Sequence, residues 1–279
     1  LSIAKTFVSL GVKKIRLTGG EPLIKKDAEN IIRELGKLPI ELAITTNAVV
    51  VDRFIDVMKE AKIKSVNVSL DSLKEERFNA ISRREYFPRI VNNINLLLEE
   101  NFNVKVNVVV IRGTNEDEIT DFIDWTKDKP VHIRFIEFMP FDGNNWNWEK
   151  KVSFKEILQI TENHYGKDQI SKIESQPNAT SRDFRLLESK GTFGIISSVT
   201  NPFCDTCNRI RLTADGKIKN CLFSQSETDL LTAHRAGQPL EAIIRQAIDT
   251  KEKARGGNVE FNDDMAKDMK NRSMTTIGG

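Results

Sequence analysis

The sequence predicts an α/β fold on parallel strands, either an open sheet or part of a βα barrel, from three observations. Short apolar strand candidates alternate with longer stretches through the first half of the 279-residue chain. The longer stretches carry apolar residues at helical spacing, so each crossover is a helix that returns the chain to the same end of the sheet. The strands also alternate polar with apolar residues, which strands buried under helices on both faces would not do. A chain of this length removes roughly three quarters of its unfolded surface from water, enough for a sizeable core.

The strand candidates are residues 14–19, 41–47, 65–71, 103–110 and 132–138. Residues 50–61 place Val50, Phe54, Val57, Met58 and Ala61 on one helical stripe. Residues 88–100 do the same with Ile90, Ile94, Leu97 and Leu98, behind Pro88 in a first turn. Thr114 and Asn115 are capping-type residues ahead of a third helix at 116–127. Lys14, Arg16 and Thr18 share a strand face, as do Thr45 and Asn47, then Ser65, Asn67, Ser69 and Asp71, then Lys105 and Asn107, then His132 and Arg134. The opposite faces are apolar and suit the helices. The polar face is therefore expected to line a lumen that holds something charged. Beyond it, residues 141–150 read as an aromatic-rich loop, and Ser153 with Glu156 as a capping box opening a helix to about 165. Residues 166–200 are polar and read as less regular. Helices are expected near 227–235 and 239–253.

The net charge is +2, and no global bias points to a nucleic-acid or membrane partner. No run of about 18 apolar residues predicts a membrane helix, and no signal peptide is visible. A cytoplasmic protein is the expectation. The chain opens on Leu1 with residues that already read as helix, so we expect it to be a fragment with a segment before it.

Four constellations carry chemistry. Cys204, Cys207 and Cys221 are the only cysteines, and Asp215-Gly216 predicts a hairpin turn that returns the third toward the first two. Three thiolates leave a coordination position open on a metal or on the fourth iron of an iron–sulfur cluster, whereas structural zinc normally takes four ligands. A zinc site completed by His234, or three unconnected thiols, remain alternatives. The second constellation is Thr18-Gly19-Gly20-Glu21-Pro22, at the carboxyl end of a strand, where parallel α/β folds bind ligands. Two glycines admit a ligand close to the backbone, and Glu21 can accept from an ammonium group. Third, Arg209 and Arg211 alternate just after Cys207, and with Lys14, Arg16, Lys105 and Arg134 they suit a polyanion such as a triphosphate. The fourth is the terminal Gly278-Gly279, which on physical grounds alone reads as an ordinary chain end.

The stretch FCDTCNRIRLTADGKIKNCLF at 203–223, TGGEP at 18–22, IRFIEFMP at 133–140 and the terminal glycine pair together resemble the GTP 3',8-cyclases of molybdopterin synthesis, members of the radical S-adenosylmethionine superfamily. The resemblance implies a six-stranded partial, TIM-like βα barrel, here expected to lack its first strand, with a smaller C-terminal domain that binds a cluster. Residues 1–145 would form the barrel and 146–279 the second domain. It implies radical cyclisation of GTP to 3',8-cyclo-7,8-dihydro-GTP, with S-adenosylmethionine and two [4Fe–4S] clusters. One cluster would lie on Cys204, Cys207 and Cys221. The other needs a C-x3-C-x2-C motif, which this chain does not contain, so the fragment alone is expected to be inactive. By resemblance, Arg16, Thr45, Lys105, Arg209, Ile210 and Arg211 contact GTP. Gly19, Gly20, Glu21, Ser69 and Met139 hold S-adenosylmethionine, and Gly278 and Gly279 enter the active site, where with Arg16 they support catalysis. Implied partners are GTP and a downstream cyclic pyranopterin monophosphate synthase, with a homodimer left open. Two other readings compete: a radical enzyme that modifies a peptide with an auxiliary cluster, and a zinc-ribbon module that binds nucleic acid. The paired arginines and terminal glycines argue against the first. A pI of about 8.3 lends little to the second.

Overall fold

The structure, a computed structural model, describes residues 1–174, 176–257 and 271–277. Its main sheet is built from β1 (Lys14–Leu17), β2 (Glu41–Thr46), β3 (Ser65–Ser69), β4 (Asn103–Val110), β5 (His132–Glu137), β6 (Ile170–Lys172), β7 (Arg182–Leu186) and β8 (Thr192–Ile196). Across the sheet the order is β1-β2-β3-β4-β5-β8-β7-β6. From β1 to β5 and on to β8 every neighbouring pair is parallel; β7 and β6 return antiparallel. The crossovers are helices, as the alternation in sequence requires: α1 (Ser2–Ser9) precedes β1, α2 (Ala28–Gly36) and α3 (Ile55–Glu60) flank β2, α4 (Glu75–Ser82) and α5 (Phe87–Glu99) follow β3, α6 (Ile119–Asp128) follows β4, and α7 (Phe154–Tyr165) follows β5.

One face of the sheet packs on these helices. Ile44, Val66, Val68, Val106, Ile133 and Phe135 are fully buried there, against Ile32, Met58, Ile94, Leu97 and Phe122 from the helices. Each such side chain contributes roughly 1.5–3 kcal/mol by leaving water. In α5, Ile90, Ile94 and Leu97 fall on one buried stripe, and Pro88 sits in the first turn where its missing N–H is harmless. In α7 the capping box forms. The Ser153 hydroxyl accepts from Glu156 N at 3.3 Å, and the Glu156 carboxylate accepts from Ser153 N at 2.8 Å. Residues on both sides of position 145 share this sheet and core, since β8 pairs with β5 and Val152, Ile157 and Phe193 join the same buried cluster.

A second, three-stranded sheet, β9 (Arg211–Leu212), β10 (Lys217–Lys219) and β11 (Thr228–Asp229), forms the predicted hairpin around Gly216, whose φ of 79° suits a residue without Cβ. Helices α8 (Leu231–Arg235) and α9 (Leu240–Asp249) pack on it together with α1, burying Phe7, Ile218, Leu230 and Ile244. Among the described residues, no helix is long and apolar enough to cross a membrane.

Four expectations need correction. Residues 166–200 are more regular than expected: they supply β6, β7 and β8, and β8 is a sixth parallel strand. The run Thr192-Phe-Gly-Ile-Ile is short and interrupted by Gly194, which weakens a strand reading. The expected helix at 227–235 starts only at Leu231, because Thr228–Asp229 pairs with Lys217–Ile218. The expected helices at 50–61 and 116–127 each open with a tighter turn, Val51–Phe54 and Glu116–Glu118.

Candidate functional site

The strand register assembles the polar face. Thr45, Asn67, Lys105, His132 and Thr192 are successive partners across β2, β3, β4, β5 and β8. The next row on the same face is Ser69, Asn107, Arg134, Gly194 and Asp183. Arg16 and Lys14 lie on the same face of β1, with Lys14 paired to Glu41. This face is enclosed: Thr45 is 8% exposed, Asn67 3% and Arg134 8%. Arg134 donates from Nε to Asn107 Oδ1 at 2.8 Å. Burial and then the charge of Arg16 push its pKa down to about 9. Burial followed by the charge of Arg209 pushes Arg16 down, and burial followed by Arg134 pushes Lys105 down. These cations face one another more than they face acids.

Sequence reasoning missed a carboxylate among them. Asp183, on β7, has Oδ1 3.5 Å from His132 Nε2, and the other ring nitrogen of His132 lies 2.6 Å from Thr192 Oγ1. Burial lowers the His132 pKa against the opposing pull of Asp183. Burial raises the Asp183 carboxyl, but hydrogen bonds from His132 and Ser181 outweigh it and leave the pKa low. Gly194 makes the arrangement possible: a Cβ there would stand 2.2 Å from Asp183 Oδ1. The only sequence signal was a glycine inside an apolar run.

At the carboxyl end of β1, Gly19 has φ +133° and open space where a side chain would be. Gly20 is exposed beside it. Glu21 turns back into the protein. Its carboxylate accepts from Leu23 N at 3.1 Å, Thr46 Oγ1 at 2.8 Å and Asn47 N at 2.6 Å, tying the ends of β1 and β2 together. Three of about four lone-pair directions are thus used within the fold, so Glu21 is first a scaffold group. Ser69 is exposed at the end of β3. Met139, just past β5, packs with Trp146 and Cys221 against Val199 and Phe223. Open space at Gly19 and the exposed Ser69 thus lie at the carboxyl ends of β1 and β3, at one end of the parallel sheet.

The chain reaches the cysteines through a carboxylate that sequence reasoning quoted but did not weigh. Glu137, 0% exposed at the end of β5, accepts from Phe154 N, Val199 N and Thr200 N, each at 2.9 Å, and from the Thr200 hydroxyl. It thereby fixes the loop that leads to Cys204. Cys204, Cys207 and Cys221 are all free thiols of intermediate exposure. Cys207 N donates to Cys204 O at 3.0 Å, closing a one-turn loop. Cys204 Sγ accepts from Arg255 N at 3.4 Å, and Cys207 Sγ from Lys251 Nζ at 3.4 Å. Burial raises the Cys207 pKa, but the Arg209 backbone N–H and Lys251 outweigh it and bring it down. Burial lowers the pKa of Arg211, while Cys221 and Cys207 act on it in the opposite direction, so Arg211 lies by both thiols. Arg209 donates to Asn178 O and stacks over Phe203, 5.7 Å from its ring centre. Ile210 between them packs on the second core. Among the described residues, no three His, Cys, Asp or Glu side chains gather to hold a single ion, and His234 does not complete a zinc site. Three thiols, two with N–H donors to their sulfurs and two beside the Arg211 guanidinium, suit an iron–sulfur cluster as ligands. Gly278 and Gly279 lie outside the described residues.

Residues 1–126 match the radical SAM superfamily, and residues 131–256 match Molybdenum Cofactor Synthesis C. The chain is 42% identical over 283 residues to the mitochondrial GTP 3',8-cyclase of Arabidopsis thaliana, covering 99% of this chain and 71% of that one. It is 41% identical over 285 residues to molybdenum cofactor biosynthesis protein 1 of Dictyostelium discoideum, covering 100% of this chain but 44% of that one. It thus spans about half the length of some curated relatives. Streptococcus suis SuiB shares the fold, with a TM-score of 0.60 at 15% identity over 94% of this chain and 68% of that one. A parallel sheet with a polar inner face, a glycine-rich turn at its carboxyl end and a three-cysteine hairpin meet in one molecule together with these matches, and the chain belongs to the GTP 3',8-cyclase family of radical SAM proteins.

Proposed function

We propose that the protein to which this chain belongs joins the ribose C3' of GTP to C8 of its guanine, giving 3',8-cyclo-7,8-dihydro-GTP, the opening step of molybdopterin synthesis. The observation that carries this reading is the set of same-sign side chains on the inner face. Arg16 and Arg134 lie near Arg209 from the cysteine segment, Lys105 lies near Arg16 and Arg134, and Asp183 and Glu41 are acids among them. Burying like charges together is unfavourable unless something of opposite sign offsets it. A triphosphate does so, and the planar fork of arginine matches phosphate oxygens.

In this reading Arg16, Thr45, Lys105, Arg209 and Arg211, with the backbone of Ile210, bind and orient GTP. Gly19, Gly20, Glu21, Ser69 and Met139 border S-adenosylmethionine, and Cys204, Cys207 and Cys221 hold a [4Fe–4S] cluster. When bound, S-adenosylmethionine and the second cluster, whose C-x3-C-x2-C motif this chain does not contain, would supply the one-electron chemistry, and the cluster on the three cysteines would offer the purine an iron without a cysteine ligand. The side chains of this chain do the rest: they neutralise the phosphates, fix the ribose relative to the base and keep the two ligands apart. Gly278 and Gly279 are assigned to the same site as a thin, side-chain-free tail. Residues 1–145 would carry the S-adenosylmethionine side and, through Arg16, Thr45 and Lys105, part of the nucleotide site, and 146–279 the cluster and the hairpin arginines. The product would pass to a cyclic pyranopterin monophosphate synthase.

The test is GTP binding to the 279-residue chain by calorimetry. Each charge-assisted contact contributes roughly 1.5–3 kcal/mol, so Arg16→Ala should weaken binding by on the order of 10- to 100-fold. The Arg209→Ala, Arg211→Ala double variant should weaken it further. Unchanged affinity in the double variant would overturn the triphosphate reading.

A further inference from the structure

We infer that residues 251–257 form a strap that positions the iron–sulfur ligands, with Lys251 as its charge-bearing member. The inference rests on reading Cys204, Cys207 and Cys221 as cluster ligands. The strap follows α9 directly and reaches all three cysteine turns within seven residues. Lys251 Nζ donates to Cys207 Sγ at 3.4 Å, to Cys207 O at 3.2 Å and to Arg209 O at 3.1 Å. One ammonium thus uses three donors on one turn, which is its full complement. Four residues on, the backbone N–H of Arg255 points at Cys204 Sγ at 3.4 Å. The next residue, Gly256, has φ +64° and lies against the turn after Cys221: a Cβ there would be 2.6 Å from Ser224 N and 2.9 Å from Phe223 C. That turn is closed by Ser224 N donating to Cys221 O at 3.2 Å. The helix before the strap is fastened to the same hairpin, because Asn220 donates from Nδ2 to Ala247 O at 2.8 Å.

The chemistry of these contacts is specific. N–H groups and a cation at ligand sulfurs stabilise negative charge on them, which favours the more reduced, more negative state of a cluster. Lys251 also binds the backbone carbonyls of Cys207 and Arg209, so the Cys207 sulfur and the backbone that carries Arg209 are held by one ammonium. Gly256 is required by close approach of two backbones, and no other residue fits without moving the Cys221 turn. Lys251 is therefore a positioning residue: it acts on the ligand set and touches neither nucleotide nor S-adenosylmethionine in the reading above.

The test uses the 279-residue chain reconstituted anaerobically with iron and sulfide. Iron content, the rate of iron loss to a chelator and the midpoint potential of the cluster are measured for wild type, Lys251→Met, Lys251→Arg and Gly256→Ala. Loss of a group that supports metal ligands costs 10- to 100-fold in metal affinity in comparable sites. Lys251→Met should load iron but lose it roughly 10- to 100-fold faster, with a more negative midpoint potential. Lys251→Arg should restore the potential, because the charge returns. Gly256→Ala should speed iron loss while leaving the Lys251 charge in place. If wild type holds iron and Lys251→Met matches it in both iron loss and potential, the strap is overturned and the cluster reading stands. If wild type takes up no iron, the cluster reading fails, and the strap with it.

Discussion

Replacing Glu137 by Ala should be among the most damaging single changes to this fold, and the loss can be worked from its partners. The carboxylate accepts from three backbone N–H groups at 2.9 Å and from the Thr200 hydroxyl, while itself fully buried. Val199 is 2% exposed, so its N–H has no route to water once the acceptor goes. Phe154 N belongs to the first turn of α7 and loses its only named acceptor. An unsatisfied buried donor costs about 1–3 kcal/mol. Thr200 is exposed, and its two donors can turn to solvent at little cost. With the lost packing, Glu137→Ala should cost about 3–5 kcal/mol, a large share of the 5–15 kcal/mol typical of a domain. Glu137→Gln keeps the shape and one acceptor oxygen but turns an NH2 group toward donors, and should cost about 1–3 kcal/mol. Urea unfolding followed by circular dichroism reads both, as a lower midpoint at unchanged slope. The segment from Val199 to Cys207 should also become a preferred site of limited proteolysis. A Glu137→Ala protein within about 1 kcal/mol of wild type, with that segment still protected, would refute the reasoning.

Asp71 gives a pH-dependent case. Burial raises its carboxyl to about 6 against a single hydrogen bond from Val109 N at 2.8 Å. The folded state therefore holds this proton more tightly than the unfolded chain. Its stabilising contribution is complete below about pH 3.8 and is lost as pH rises through 6, by about 3 kcal/mol at most. Asp71→Asn should stabilise the protein at pH 7 by up to that amount and flatten the stability profile between pH 4 and 6; an unchanged profile would count against a protonated Asp71. Gly194→Ala puts a methyl group 2.2 Å from Asp183 Oδ1 and should cost about 1–3 kcal/mol by overpacking. The Asp183→Ala, Gly194→Ala double variant should recover at least about 1 kcal/mol of the summed single losses. Strictly additive losses would mean that the two side chains do not compete for space.

The parts of the fold that were legible in the sequence are those set by periodicity. Val104, Val106, Val108 and Val110 alternate with Lys105 and Asn107, and β4 shows that same alternation of buried and half-buried residues. The Asp215-Gly216 turn likewise announced its hairpin. What escaped depended on contacts distant in the chain. β8 is a strand because β5 offers it a partner, and its glycine is explained only by Asp183 on the adjacent strand. Lys251 looks like any surface lysine after a helix until the turn at Cys207 is folded against it. Glu21 was legible as a functional position, but its hydrogen bonds to Thr46 and Asn47 were not, because nothing local marks strand ends that meet in space.

The two halves of the candidate site are held by different kinds of constraint. Arg16, Lys105 and Arg134 stand on strands, where the period of two leaves little latitude. A slip of one residue would send each cation into the apolar core and each valine into the lumen. Their positions are therefore all-or-none, secured by the whole of the parallel core. Arg209, Arg211 and the cysteines stand on a short hairpin and its flanking loops. Glu137, Lys251 and Gly256 fix these through a few hydrogen bonds and one close backbone approach. Such a segment shifts by degrees when a single anchor changes. Substitutions in the strands should thus act mainly on whether the protein folds. Those at Lys251 and Gly256 should leave the sheet intact and alter how the hairpin arginines meet the inner cations, whereas Glu137, at the end of β5, bears on both the sheet and the loop to the cysteines. A charge change at Lys251 and a packing change at Gly256 then become independent adjustments of one ligand set, working through separate cysteine turns.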